Sequence, residues 1–204
     1  MAILPAIDER NAAFIRAQRI FFVATAPRGG EGHVNLSPKG LDSFAILGPR
    51  TVAYLDFVGS GIETAAHLRE NGRIVFMFCA FEGPPRILRL HGRGDVVEPG
   101  DAEWDSLALR FPRQEGVRAI VRAHLTRIAD SCGYGVPLYR YEGERSQLAE
   151  WASRKGPDGL VRYQAEHNRK SLDGLPGLRR LGSDEAGAAG EAQPSGGPGG
   201  ETAR

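Results

Sequence analysis

The chain has 204 residues, with 26 basic and 25 acidic side chains and a formal net charge of +1. That balance argues against an extended basic surface for nucleic acid, and no apolar run approaches the ~20 residues needed to cross a bilayer. With 41% hydrophobic and 25% charged residues, the chain reads as one sizeable globular domain, or one domain with an appendage.

The first ten residues lack a basic segment followed by an apolar core, so no secretory signal is expected there. Cys79 and Cys132 are too few for a disulfide framework, and a reducing cytoplasm fits them best. Five scattered histidines, with no CxxC and no HExxH, give no metal spacing.

In chain order, Asp8 is placed to cap a short helix reaching about Arg19. Ile20 to Ala26 reads as a strand. Arg28 to Gly32 is a turn, and His33 to Ser37 opens a second strand. Phe44 to Leu47 is a short apolar strand stopped by Gly48-Pro49, and Thr51 to Phe57 is a fourth, rich in β-branched and aromatic residues. Ile62 to Asn71 has helical spacing and ends at Asn71-Gly72.

Arg73 to Phe81 is apolar at both alternating sets, so this strand is expected to be buried on both faces, by the barrel wall plus a helix or a second subunit. Arg86 to Val97 is the sixth strand. Asp101 is expected to cap a helix bearing Trp104, Leu107 and Phe111. Gly116 to Asp130 is expected to be another helix, from Val117, Ile120, Val121, His124 and Ile128 at helical spacing. Cys132 to Pro137 is a loop, either a helix-ending turn at Gly133 or a flap that stacks Tyr134 on a ring. Residues 144–172 look helical and polar, broken at Gly156 to Gly159. Residues 183–204 carry no aromatic and no large aliphatic residue and are expected to be a disordered tail.

Two constellations carry chemistry. Gly59-Ser-Gly-Ile-Glu-Thr64 joins a strand to a helix start, the arrangement that aims backbone N–H groups at a phosphate. Its structural alternative is an N-cap at Ser60 with Glu63 as capping-box partner. Upstream, Asn35-Leu-Ser-Pro-Lys-Gly40 offers an amide, a hydroxyl and a cation within six residues, or else a turn with a solvated lysine. Arg89 and His91 share one face of the sixth strand and need an anion, an ion pair with Asp56 or Asp95, or solvent.

Taken in order, Phe22-Val-Ala-Thr25, Asn35 to Gly40, Tyr54-Leu-Asp56, Gly59 to Thr64, Asn71-Gly-Arg-Ile-Val-Phe76 and Arg89-Leu-His-Gly92 resemble the pyridoxamine 5′-phosphate oxidase-like family of flavin-binding split barrels. The resemblance spans about residues 11 to 97. It implies an α+β fold, a six-stranded antiparallel split β-barrel, here with a C-terminal helical extension. It also implies a homodimer with FMN in the interface groove and a small-molecule substrate. The site it implies comprises Asn35, Ser37 and Lys39 near the flavin, Ser60, Gly61 and Thr64 at its phosphate, Asp56 on the strand entering that turn, and Arg89 facing the ring.

Departures from the family are visible. Ile62-Glu63-Thr64 stands where the oxidases carry Ser-Arg-Lys. Ile87 replaces a glutamine, and no substrate-gripping Arg and His pattern lies between Leu148 and Leu178. The expectation is an FMN-dependent oxidoreductase with no assigned catalytic side chain, divided as 1–140 barrel, 141–182 helical extension and 183–204 tail. Two alternatives stay open. One is the deazaflavin F420, served by a basic groove of Arg113, Arg118, Arg122 and Arg127. The other is a non-catalytic flavin- or haem-binding protein, with His91 or His124 as axial ligand.

Overall fold

The computed structural model describes residues 2–182; the expected tail at 183–204 lies outside them. The elements are β1 (Ala2–Leu4), α1 (Glu9–Ala17), β2 (Phe21–Thr25), β3 (Asn35–Lys39), β4 (Phe44–Gly48), β5 (Thr51–Phe57), α2 (Glu63–Asn71), β6 (Arg73–Cys79), β7 (Ile87–Val97), α3 (Trp104–Ala108), β8 (Val117–Ser131) and α4 (Gln147–His167). The strands form one antiparallel sheet in the order β3-β2-β6-β7-β8-β5-β4, with β1 paired to the far end of β8.

The sheet curls on itself. Phe21 of β2 and Phe44 of β4 lie near opposite ends of the strand order, yet their rings meet edge-on with centroids 5.0 Å apart. Tyr54, Phe76 and Phe78 complete this aromatic cluster, and Val23, Leu88, Leu90, Val121, Leu125 and Ile128 fill the barrel around it. Edge-to-face rings add to the burial of their large apolar area. The two end strands of that order, β3 and β4, are not hydrogen-bonded to each other, so the barrel is split between them.

The fold is therefore the expected mainly antiparallel split barrel with helices, built from eight strands instead of six. One expected helix is absent: residues 117–131 form β8, the longest strand, which pairs with β1, β5 and β7. The cause is a bulge. His91 pairs with Arg127 but Gly92 pairs with Leu125, which leaves Thr126 unmatched. Inward residues Val121, Ala123 and Leu125 follow the strand period, and the next inward residue is Ile128, three positions on. That interval imitates a helical repeat in the bare sequence. Gly92 is required at the bulge, because a Cβ there would lie 2.4 Å from the His124 carbonyl oxygen.

The expected helix after Asp101 is shorter than its apolar spacing suggested, with Phe111 just beyond it. Trp104, Leu107 and Phe111 pack with Leu55, Val97 and Ile120 in a second cluster. Helix α1 has the predicted cap, with the Asp8 carboxylate accepting from the Asn11 N–H at 2.8 Å. Helix α2 ends at Gly72, whose φ of 70° is the left-handed cap conformation. Helix α4 breaks at Gly156 (φ 65°, ψ 173°), as expected from the Gly-Pro-Asp-Gly run.

Beyond α4 the chain doubles back as a strap, residues 168–182. Leu178 and Leu181 bury themselves against Ile62, Ala65 and Ala119, which presses the strap onto the turn before α2.

Candidate functional site

Side chains of β3, β5, β8 and the start of α2 enclose a cavity of about 170 Å³ lined by Asn35, Ser37, Lys39, Asp56, Phe57, Gly59, Gly61, Glu63, Thr64 and Arg118. Strand periodicity puts Asn35, Ser37 and Lys39 on one face of β3, opposite Thr25, Val23 and Phe21 of β2. Asp56 comes from β5, and Gly61 and Thr64 from the β5–α2 turn and the first turn of α2.

Asp56 is the fulcrum of the site. It is 1% exposed, accepts from Arg118 Nε at 2.8 Å through Oδ2 and lies 3.4 Å from Lys39 Nζ through Oδ1. Burial alone would raise its pKa, but the Arg118 and Lys39 charges outweigh that and hold it below the usual aspartate value. Arg118 is itself fully engaged. It donates to the carbonyls of Gly59 (3.1 Å) and Gly61 (2.7 Å) and to Asn168 Oδ1 (3.0 Å). Asn168, wholly buried, also donates to the Gly59 carbonyl at 2.9 Å, so the strap and Arg118 fix the turn together.

A second polar chain runs beneath α2. Asn35 Nδ2 donates to Thr64 Oγ1 at 2.9 Å and lies 3.3 Å from Thr25 Oγ1; Thr25 meets His67 Nδ1 at 3.0 Å, and Ser37 donates to Asn35 Oδ1 at 3.2 Å. Among the described residues two buried side-chain polar atoms have no hydrogen-bond partner: His67 Nε2 and the Tyr54 hydroxyl. Burial lowers the His67 pKa against the pull of Asp173, Glu63 and Glu70, so its imidazole is held neutral. Burial also raises the Tyr54 pKa well above its ordinary value, reinforced by Asp56.

The start of α2 is open. Its N-cap residue is Ile62 and no side chain caps it, so the Ser60 cap does not form; Ser60 is exposed on the turn and does not line the cavity. First-turn N–H groups thus have no side-chain cap, and the positive end of the helix dipole favours an anion beside them. The chemistry of this donor set fits one phosphate-sized group: a lysine, an amide, two hydroxyls and an uncapped helix start. Glu63 is the dissenting member, a carboxylate on the cavity wall.

Arg89 is not brought to this cavity. It projects from β7 on the face opposite the core residues Leu88 and Leu90, and its guanidinium donates to Ser131 Oγ at 3.1 Å. His91 shares that outer face, half-buried, while His124 is exposed on β8. The four arginines expected to line a basic groove do not lie on a helix: Arg113 precedes β8, and Arg118, Arg122 and Arg127 are on that strand. Arg118 is turned inward to Asp56 and Arg122 is bound by Asp95 and Glu103 at 2.8 and 2.6 Å. Gly133 makes a turn with φ 68°, and Tyr134 beside it is 82% exposed. Among the described residues no group of three His, Cys, Asp or Glu side chains is placed to hold a metal ion, and no helix is long and apolar enough to cross a membrane.

Sequence reasoning did not single out Thr25, His67 or Asn168, and it placed Arg118 on the wrong element. Arg118 lies 62 positions from Asp56 and Asn168 lies 109 from Gly59, so no local spacing reports them.

The sequence model for "Pyridoxamine 5′-phosphate oxidase" matches residues 7–132. A curated Aspergillus flavus protein, "Pyridoxamine 5′-phosphate oxidase family protein ustO", is 40% identical over 187 residues, which cover 82% of this chain and 74% of the relative. Among solved structures, Group A Streptococcus HupZ aligns with a TM-score of 0.50 at 22% identity, over 62% of this chain and 94% of its own. A single-residue variant of HupZ aligns with the same TM-score at 21% identity, over 61% of this chain and 99% of its own.

Proposed function

The chain belongs to the pyridoxamine 5′-phosphate oxidase family, and from that premise we propose that it is a flavin-binding oxidoreductase that holds FMN by its phosphate in the cavity between β3 and α2. The observation that carries the reading is the convergence of Lys39, Asn35, Ser37 and Thr64 on the uncapped first turn of α2.

Bound FMN would supply hydride or electron transfer to and from a small-molecule substrate. The chain's own contribution is binding and orientation. Lys39 supplies the cation, Asn35, Ser37 and Thr64 supply hydrogen bonds, and Asp56 with Arg118 fixes where the ammonium sits. At about 170 Å³ the cavity is smaller than the ~300 Å³ at which small-molecule sites begin, so it takes the phosphate end and not the ring system.

The reading does not extend to oxidation of pyridoxamine phosphate itself, because Glu63 stands where that reaction's relatives carry a cation. A homodimer is part of the proposal. Strand β6 buries Ile74, Phe76 and Phe78 in the barrel, while Val75 and Met77 stay half-buried on the outer face, on the same side as the exposed Leu36 of β3. A second copy is the occupant proposed for that face.

The test is titration of the purified protein with FMN, read by flavin fluorescence and absorbance. Saturable quenching is expected; unquenched fluorescence with no bound flavin absorbance overturns the reading.

A further inference from the structure

Glu63 is the one cavity carboxylate without a cation. Asp56 takes both Lys39 and Arg118, and among the described residues no ion pair reaches Glu63. Its side chain folds back over the helix start from which it springs. Oε2 lies 2.5 Å from where a Cβ on Gly61 would stand, so the carboxylate rests against the Gly61 backbone. Oε1 accepts the Leu172 N–H at 3.2 Å, which ties the carboxylate to the strap. The cavity therefore holds two cations and two carboxylates, at an uncapped helix end whose dipole attracts negative charge.

We propose that Glu63 is an internal competitor for the phosphate position: its carboxylate occupies the anion place at the start of α2, and a phosphorylated ligand binds only by turning it out and releasing Leu172. The proposal rests on the flavin-phosphate reading and deepens it into a rule of selectivity. A phosphate brings about −1.5 to −2 charges at neutral pH. Placed beside Glu63 in a cavity already neutralised by its own pairs, it meets like-charge repulsion that the low local dielectric strengthens. A ligand whose terminus is an uncharged hydroxyl meets none. Glu63 thus narrows the preference for FMN over riboflavin that the phosphate contacts provide, and is the specificity-determining residue that sets its size. The strap is the mechanical partner, since Leu172 loses its acceptor whenever Glu63 swings away.

The experiment compares the full chain with E63Q, which keeps an oxygen to accept the Leu172 N–H and removes only the charge. FMN, riboflavin and inorganic phosphate are each titrated, the flavins by fluorescence and phosphate by calorimetry. E166Q, on the exposed face of α4, controls for loss of a surface charge. E63Q is expected to bind FMN and inorganic phosphate about tenfold more tightly, with riboflavin affinity unchanged and E166Q like the parent. Saturating phosphate is also expected to speed exchange of the Leu172 amide in the parent protein. Unchanged or weakened phosphate affinity in E63Q overturns the proposal, as does an equal gain for riboflavin. If E63Q gains phosphate affinity while neither protein binds a flavin, the competitor role stands and the flavin reading falls.

Discussion

The guanidinium of Arg118 and the carboxylate of Asp56 meet at 2.8 Å with side chains 5% and 1% exposed, the most deeply buried ion pair among the described residues. The contact joins β8 to β5 across 62 positions of chain and sets where Lys39 and the Gly59–Gly61 turn come to rest.

Removing one partner leaves a buried charge uncompensated. Arg118→Met is expected to destabilise the protein by about 3–5 kcal/mol, measured as a lowered urea midpoint. It should also free the carbonyls of Gly59 and Gly61, so amide exchange in the 58–62 turn should rise more than in β7.

The same pair sets an acid limit. Asp56 has a pKa held below its ordinary value of 3.8 in the folded state. A depressed carboxylate contributes stability that is present above the unfolded value and is lost as pH falls through the folded one. The parent protein should therefore lose urea resistance as pH drops below about 4. Asp56→Asn, though weaker at neutral pH, should show a shallower decline over that range. Equal slopes for the two proteins would remove Asp56 as a source of acid sensitivity.

On the proposed reading Lys39 serves the phosphate: its ammonium lies 3.4 Å from Asp56 and its side chain is 22% exposed, so it reaches the cavity while the Arg118 pair holds Asp56. Lys39→Met is expected to weaken FMN binding by about ten- to a hundredfold, the value of one charge-assisted hydrogen bond. Circular dichroism should be unchanged. A variant that binds FMN like the parent would place the phosphate elsewhere.

Gly92→Ala tests the bulge. The new Cβ would lie 2.4 Å from the His124 carbonyl oxygen, a backbone atom with no rotamer to escape into. A loss of about 1–3 kcal/mol is expected, read as a lowered melting temperature. Gly59→Ala, at an open position, should change stability far less.

Strands β2 to β7 were legible because they are bounded by turn residues and alternate or are apolar throughout; β1, three residues paired only with β8, was not. The β3 cluster and the start of α2 were legible because their polar residues sit within a few positions of one another. β8 was not, since Thr126 at the bulge turns a two-residue period into a three-residue interval and Val117 to Ile128 then scan as a helix face. Arg89 was placed at the flavin by the family resemblance; alternation adds only that it shares a face with His91, and that face lies outside the barrel, away from the β3–α2 cavity. Asn168 and the strap were invisible for a different reason: their partners, Gly59 and Glu63, lie more than a hundred positions upstream.

β8 also dictates when the barrel can exist. Strands β5 and β7 are joined only through it, so the chain up to residue 116 holds two separate sheets, β3-β2-β6-β7 and β4-β5. Each can assemble from pairings near in sequence, but closure waits until residues 117–131 have left the ribosome and threaded between them. Loops of such length make that final pairing the slow step of folding. Until it occurs, two long strand edges stand open to other chains.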